Sequence, residues 1–207
     1  MSIRPSAKNY LDANLKPLFQ DINVSTTSSY LLSALGYGSI GSTQSFVIQA
    51  GTRLETFWNK VINDSVVAEN LISDDDTIVV EGEETKTGKQ KKRQIDGCFK
   101  VGGKFYYREF KCNLTFDSEK KPASEAKITQ VEKLISQKYE NVKVDSGYIV
   151  PCIIEPTPEI TKQSTVSING VKWLIELIET ENLFTAEEFM EYFNNDLSVI
   201  FKTKMGW

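Results

Sequence analysis

Apolar residues recur at helical spacing early in the chain: Tyr10, Leu11, Leu15, Leu18 and Phe19 share one side of a helix expected over 6–21. A Ser/Thr/Gly-rich stretch, 22–46, reads as a short helix at 27–35 followed by a glycine-punctuated loop. A second long helix is expected over 45–66, with Leu54, Phe57, Trp58, Val61 and Ile62 as its apolar stripe. Beyond residue 74 the period changes. "TIVVEG" is a short strand and "ETKTGKQKKR" a charged loop turning at Gly88. "QIDGCFKV" and "KFYYREFKC" are two strands joined at Gly102-Gly103, a hairpin signal. An amphipathic helix follows over 123–139, burying Ile128, Val131, Leu134 and Ile135. "SGYIVPCIIEP" (146–156) is a buried strand whose Pro151 points to a sheet edge or a bulge. Helices over 170–179 and 185–201 complete the pattern, the second opened by the capping box Thr185-x-x-Glu188.

This order specifies an α/β fold: one domain over 1–207 with a mixed central sheet and helices on both faces. No repeat, low-complexity tract or dividing linker interrupts it. No apolar run approaches the ~18 residues of a membrane span, and "MSIRPSAKNYLDANLKPLF" lacks the apolar core of a signal peptide. The three cysteines, Cys98, Cys112 and Cys152, are odd in number and widely spaced. They read as reduced, buried thiols, so a cytoplasmic location is expected.

The most restrictive count is zero histidines. It excludes Ser–His–Asp and Cys–His catalysis, histidine-based zinc sites and histidine-base nucleases. Any chemistry must come from carboxylates, lysine and water, with or without a hard metal. The net charge of −4 gives no global attraction to nucleic acid, so contacts with DNA would depend on local basic patches. "GYGSIGSTQS" (36–45) has glycines and hydroxyls but lacks the phosphate-binding pattern GxxxxGK[ST].

Three charged residues interrupt the hairpin. Asp96 breaks the apolar run "QIDGCF", while Glu109 and Lys111 stand two apart in "YYREFKC" and so share a strand face. The alternate face reads as apolar or aromatic, with Phe105, Tyr107 and Phe110. A tight turn brings the start of one strand near the end of the other, placing Asp96 beside Glu109. Two adjacent carboxylates repel unless a cation sits between them. Mg²⁺ is held by such a pair together with waters and phosphate oxygens, and there it activates a water against a phosphodiester. Lys111 is placed to hold that water or to stabilise charge on phosphorus. A Glu–Lys pair on a solvated face, with Asp96 in a local turn, is the plainer alternative.

"QIDGCF…YYREFKCN" resembles the PD-(D/E)xK nuclease superfamily, most closely type II restriction endonucleases, over roughly 51–155, with 170–207 as a helical C-terminal part. The family's proline before the first acid is replaced here by Ile95. The resemblance implies a restriction-endonuclease-like fold and Mg²⁺-dependent cleavage of double-stranded DNA by a homodimer. It places Asp96 and Glu109 on the metal and Lys111 beside the water. Many members add an acid from an upstream helix, and Glu55 in "AGTRLETFWNKVI" is the candidate; it fits an ordinary helix-surface glutamate equally. Arg53 on the same turn is a candidate phosphate contact, or a solvated side chain. Lys89, Lys91, Lys92 and Arg93 precede the catalytic strand, where they would meet the DNA backbone or form a solvated loop. Asn113, Asp117, Ser118 and Lys120 follow that strand and are candidates for the DNA groove, or for a polar loop capping the next helix. The aromatic C-terminal stretch reads as core, with part available as a dimer surface. A Holliday-junction resolvase, a repair nuclease and a non-catalytic DNA-binding module are the competing readings.

Overall fold

Gly102 and Gly103 adopt φ of 54° and 82°, a conformation that side chains with a Cβ rarely take. They close the expected hairpin between β4 (Gly97–Val101) and β5 (Lys104–Phe110), which pair antiparallel from Gly97↔Arg108 to Val101↔Lys104. The structure is a computed structural model describing residues 2–23, 38–72, 77–84, 90–112, 120–162 and 164–205. The chain forms two compact units, one of Met1–Trp58 with Thr180–Trp207 and one of Asn59–Glu179.

The second unit is built on a five-stranded sheet in the order β1-β4-β5-β6-β7. Here β1 is Ala68–Asn70, β6 Val144–Val150 and β7 Ser167–Gly170. β1 and β5 run antiparallel to β4, whereas β5, β6 and β7 run parallel. The parallel β5–β6 pair needs a crossover, which the helix Lys120–Lys138 supplies. Ile128, Val131 and Ile135 of that helix pack into one core with Ile95, Cys98, Tyr107, Tyr148 and Ile168 from the sheet. On the opposite face Phe99 stacks on Tyr106, and Tyr106 meets Trp173 of the helix Val171–Leu177 edge-on. The unit is therefore a mixed sheet flanked by helices.

Several elements differ from the sequence pattern. "QKKRQ" forms a strand, β3 (Gln90–Gln94), rather than part of a charged loop. It pairs antiparallel with β2 (Thr77–Glu84) as a separate two-stranded sheet. Backbone pairing with the Ile78–Val80 run outweighs the low strand propensity of the lysines. Pro151 is neither at an edge nor in a bulge: β6 lies inside the sheet and stops at Val150, and a residue without an N–H ends the ladder. The long helix begins at Gly38 and ends at Asp64, absorbing the glycines expected in a loop. Once nucleated, a helix adds one hydrogen bond per residue, which offsets the glycine penalty. The helix expected at 27–35 lies outside the described residues.

In the helical unit the first helix breaks into Pro5–Asn14 and Lys16–Gln20, because Pro17 has no N–H to continue the first. Phe57, Trp58, Phe184 and Phe189 form its aromatic centre, with Phe57 and Phe189 stacked at 6.0 Å. The last helix runs from Ala186 to Met205 and widens to a π turn at Phe193–Leu197. Its capping box forms as the sequence specifies, with Thr185 and Glu188 exchanging hydrogen bonds. Glu188 also accepts from Arg4, at 2.7 Å from Nε and 2.7 Å from Nη2. No described helix is long and apolar enough to cross a membrane.

The Arg4 hydrogen bonds outweigh burial and draw the Glu188 carboxyl down to about 2, from 4.5. A depressed carboxyl stabilises the fold above its ordinary pKa and loses that effect as pH falls through the depressed value. Glu188→Gln is expected to lower stability by about 1–3 kcal/mol near pH 7. The gap between variant and wild type should close as pH falls through about 2. Chemical denaturation across that range checks both statements.

Candidate active site

Asp96 lies one residue ahead of β4 and Glu109 one residue before the end of β5. They are only 8% and 2% exposed, so each must find its partners inside the protein. The Phe110 N–H donates to Asp96 Oδ2 at 3.1 Å, and the Asn59 amide donates to the Asp96 carbonyl at 2.8 Å. Gly97 leaves room for Phe110, since a Cβ there would lie 2.8 Å from Phe110 Cε2. Glu109 Oε2 accepts from the Tyr107 hydroxyl at 2.7 Å and from Lys127 Nζ at 2.6 Å. Lys111 Nζ sits 3.0 Å from Glu109 Oε1. Lys127 reaches Asp96 Oδ1 as well, at 3.8 Å, so one ammonium serves both acids.

Lys111 lies beyond the last paired residue of β5. Its N–H nevertheless donates to Ile149 O at 2.9 Å, extending the ladder and holding its side chain on the face of Glu109. The pattern of faces corrects the sequence reading. Tyr107 shares the face of Glu109 and bonds to it, whereas Tyr106, Arg108 and Phe110 alternate onto the other side.

Burial and the adjacent Glu109 push the Asp96 carboxyl up to about 6, against the pull of Lys127 and Lys111. Burial also opposes the Glu109 carboxylate, but Lys127, Lys111 and the Tyr107 hydroxyl outweigh it, and its pKa falls. Burial works against the Lys111 ammonium, yet Glu109 more than offsets it and raises its pKa. The two lysines and the Tyr107 hydroxyl thus favour the ionised form of Glu109, whereas burial and the neighbouring carboxylate favour the neutral form of Asp96.

The cluster is composed entirely of residues from the sheet unit. Arg53 and Glu55 are half-buried on the helix Gly38–Asp64 and belong to the helical unit. Lys91, Lys92 and Arg93 sit on β3, opposite Val80, Val79 and Ile78, and not in a loop. Lys120 is the first residue of the crossover helix. Lys89, Asn113, Asp117 and Ser118 lie outside the described residues. Among the described residues, no group of three or more His, Cys, Asp or Glu side chains gathers as a metal cage. All three cysteines are free, but only Cys98 is buried; Cys112 and Cys152 lie half-buried just beyond the ends of β5 and β6.

The sequence reading missed Lys127 and Arg108. Lys127 stands one residue before Ile128, on the margin of the buried stripe, and a cation at such a margin is the signal that marks it. Arg108 is 1% exposed, on the strand face opposite Glu109. It donates to Asp145 O at 2.6 Å and to Asp145 Oδ1 at 2.7 Å, and lies 4.4 Å from the centre of the Trp173 ring. These bonds fasten β5 to β6 at the register that also carries Glu109 and Lys111. The chain matches no family model, no curated protein and no solved structure.

Asp145 is 57% exposed, so its own loss would be minor, but its removal would leave a buried guanidinium without its carboxylate. Asp145→Ala is expected to cost about 2–4 kcal/mol in urea denaturation. Asp145→Asn, which keeps an acceptor, should cost less than half as much.

Proposed function

We propose that this chain is a Mg²⁺-dependent endonuclease acting on double-stranded DNA. In this reading it has a restriction-endonuclease-like fold of the PD-(D/E)xK superfamily, works as a homodimer in the cytoplasm and restricts foreign DNA. One observation carries the reading: two buried carboxylates, from the two arms of a hairpin, share a single cation while Lys111 contacts the outer oxygen of Glu109. The mixed sheet supports it too, since a parallel strand follows the hairpin through one crossover helix.

The donor set suits a hard divalent cation. Asp96 Oδ1 and Glu109 Oε2 already converge on one positive charge, and Mg²⁺ takes one or two carboxylates with water completing its shell. When bound, Mg²⁺ supplies Lewis-acid polarisation of a phosphodiester and makes a water easier to deprotonate. The residues themselves do the positioning. Phe110 N–H holds Asp96 from behind and Tyr107 holds Glu109, so neither carboxylate must reorganise when a substrate arrives. Lys111 is 36% exposed, with one side against Glu109 and the other toward solvent. From there its ammonium can orient an attacking water or lie against a non-bridging phosphate oxygen. A duplex cut in both strands needs two such centres, which a two-fold dimer supplies.

Incubation with a long linear phage DNA should give discrete fragments in Mg²⁺ and none in EDTA; intact DNA in both would end this reading. Asp96→Ala and Glu109→Ala are expected to abolish cleavage while the protein still binds DNA. Lys111→Ala should slow it by roughly 10²–10⁴-fold without a large fall in melting temperature. Replacing Lys91, Lys92 and Arg93 together by Ala should flatten the dependence of DNA affinity on salt, by about 0.9 in slope for each phosphate these side chains neutralise. An unchanged slope would remove these residues from the interface.

A further inference from the structure

Lys127 projects from the crossover helix into the space between the two acids. Its Nζ is 2.6 Å from Glu109 Oε2 and 3.8 Å from Asp96 Oδ1, and its side chain is 24% exposed. Lys111 takes the other Glu109 oxygen at 3.0 Å, so the two lysines divide the carboxylate between them. We propose that Lys127 is a resident counter-ion of the Asp96–Glu109 pair, and that a divalent cation enters by displacing its ammonium. The inference rests on reading that pair as a cation site.

Both cations need the same oxygens. An ammonium has three N–H donors and no acceptor, so it can serve both carboxylates at once and can do nothing else there. A divalent cation would use the same two oxygens. Two positive charges cannot occupy that space together, because repulsion at ~4 Å inside a protein is several times its value in water. Loading the site is therefore an exchange of one cation for another, and the affinity measured for the newcomer is reduced by the hold of Lys127. The displaced ammonium stays tethered at the site with its donors free. A phosphate oxygen is the acceptor such a group pairs with most strongly, so cation entry and phosphate binding support one another. Lys111 cannot take this part, since it holds the outer oxygen of Glu109 and is not bonded to the inner one.

A purely structural Lys127, pinning the helix to the sheet, predicts the opposite sign: its removal would loosen the carboxylates and weaken cation binding. Titration calorimetry of the full chain with Ca²⁺ alone separates the two. Lys127→Gln is expected to bind Ca²⁺ about tenfold more tightly than wild type, with Lys127→Arg close to wild type. Asp96→Asn should weaken binding in either background. Equal or weaker binding by Lys127→Gln, with Asp96→Asn still damaging, would overturn the counter-ion role and leave the cation site standing. Ca²⁺ binding indifferent to Asp96→Asn would overturn both. A measurement on the wild type guards against a variant that fails to fold. The side-chain ammonium signal of Lys127 in ¹⁵N NMR should lose its slow exchange as Ca²⁺ saturates, whereas a signal that persists unchanged would overturn the displacement.

Discussion

Asp96 and Glu109 repel each other across the hairpin, and neither has enough water around it to relieve that repulsion by solvation. Much of the sheet unit is arranged around this constraint. The crossover helix must lie where Lys127 reaches both acids, which fixes its height along β5 as well as its apolar contacts. The β5–β6 ladder must run one residue past the strand, so that Lys111 keeps to the right face. Tyr107 directs its hydroxyl to Glu109, and a backbone N–H is committed to Asp96. Natural interiors usually avoid such a pair, because a well-packed apolar pair of the same volume is often at least as stable. Among the aromatic and branched residues of this core the pair is held by Lys127, Lys111, the Tyr107 hydroxyl and the Phe110 N–H.

The two strand faces divide the work. On one, Glu109 and Tyr107 belong to the acid pair; on the other, Arg108 is buried against Trp173 and bonded to Asp145. An interior guanidinium fixes register sharply, since a slip of one residue along β6 would strand its charge away from Asp145. The precision of the acid pair thus depends partly on a cation it never touches.

The hairpin, the crossover helix and the order of strand and helix were legible in the sequence, because Gly102-Gly103 and the stripe through Ile128, Val131 and Ile135 are local signals. Asp96, Glu109 and Lys111 were legible as charges in apolar runs. Lys127 was not: its part depends on the angle at which a helix crosses a sheet, and spacing within the helix does not encode that. Arg108 was hidden for a related reason, as a charged residue in an alternating strand reads as solvent-facing until the other side is seen to be covered. The strand at Gln90–Gln94 was obscured by its lysines, because strand formation there is decided by the partner Thr77–Glu84 rather than by its own composition. β1 and β7 are too short, at three and four residues, to show a period.

The Arg4–Glu188 contact joins residues 184 apart in sequence, within a unit whose two parts flank the sheet unit in the chain. During synthesis the sheet unit is a contiguous segment and emerges complete while the helical unit still lacks its second part. The aromatic centre of Phe57, Trp58, Phe184 and Phe189 therefore waits until Phe184 and Phe189 have been made, with its early half exposed in the meantime. Vectorial synthesis favours an order of assembly in which the acid pair is enclosed first and the helical unit closes afterwards.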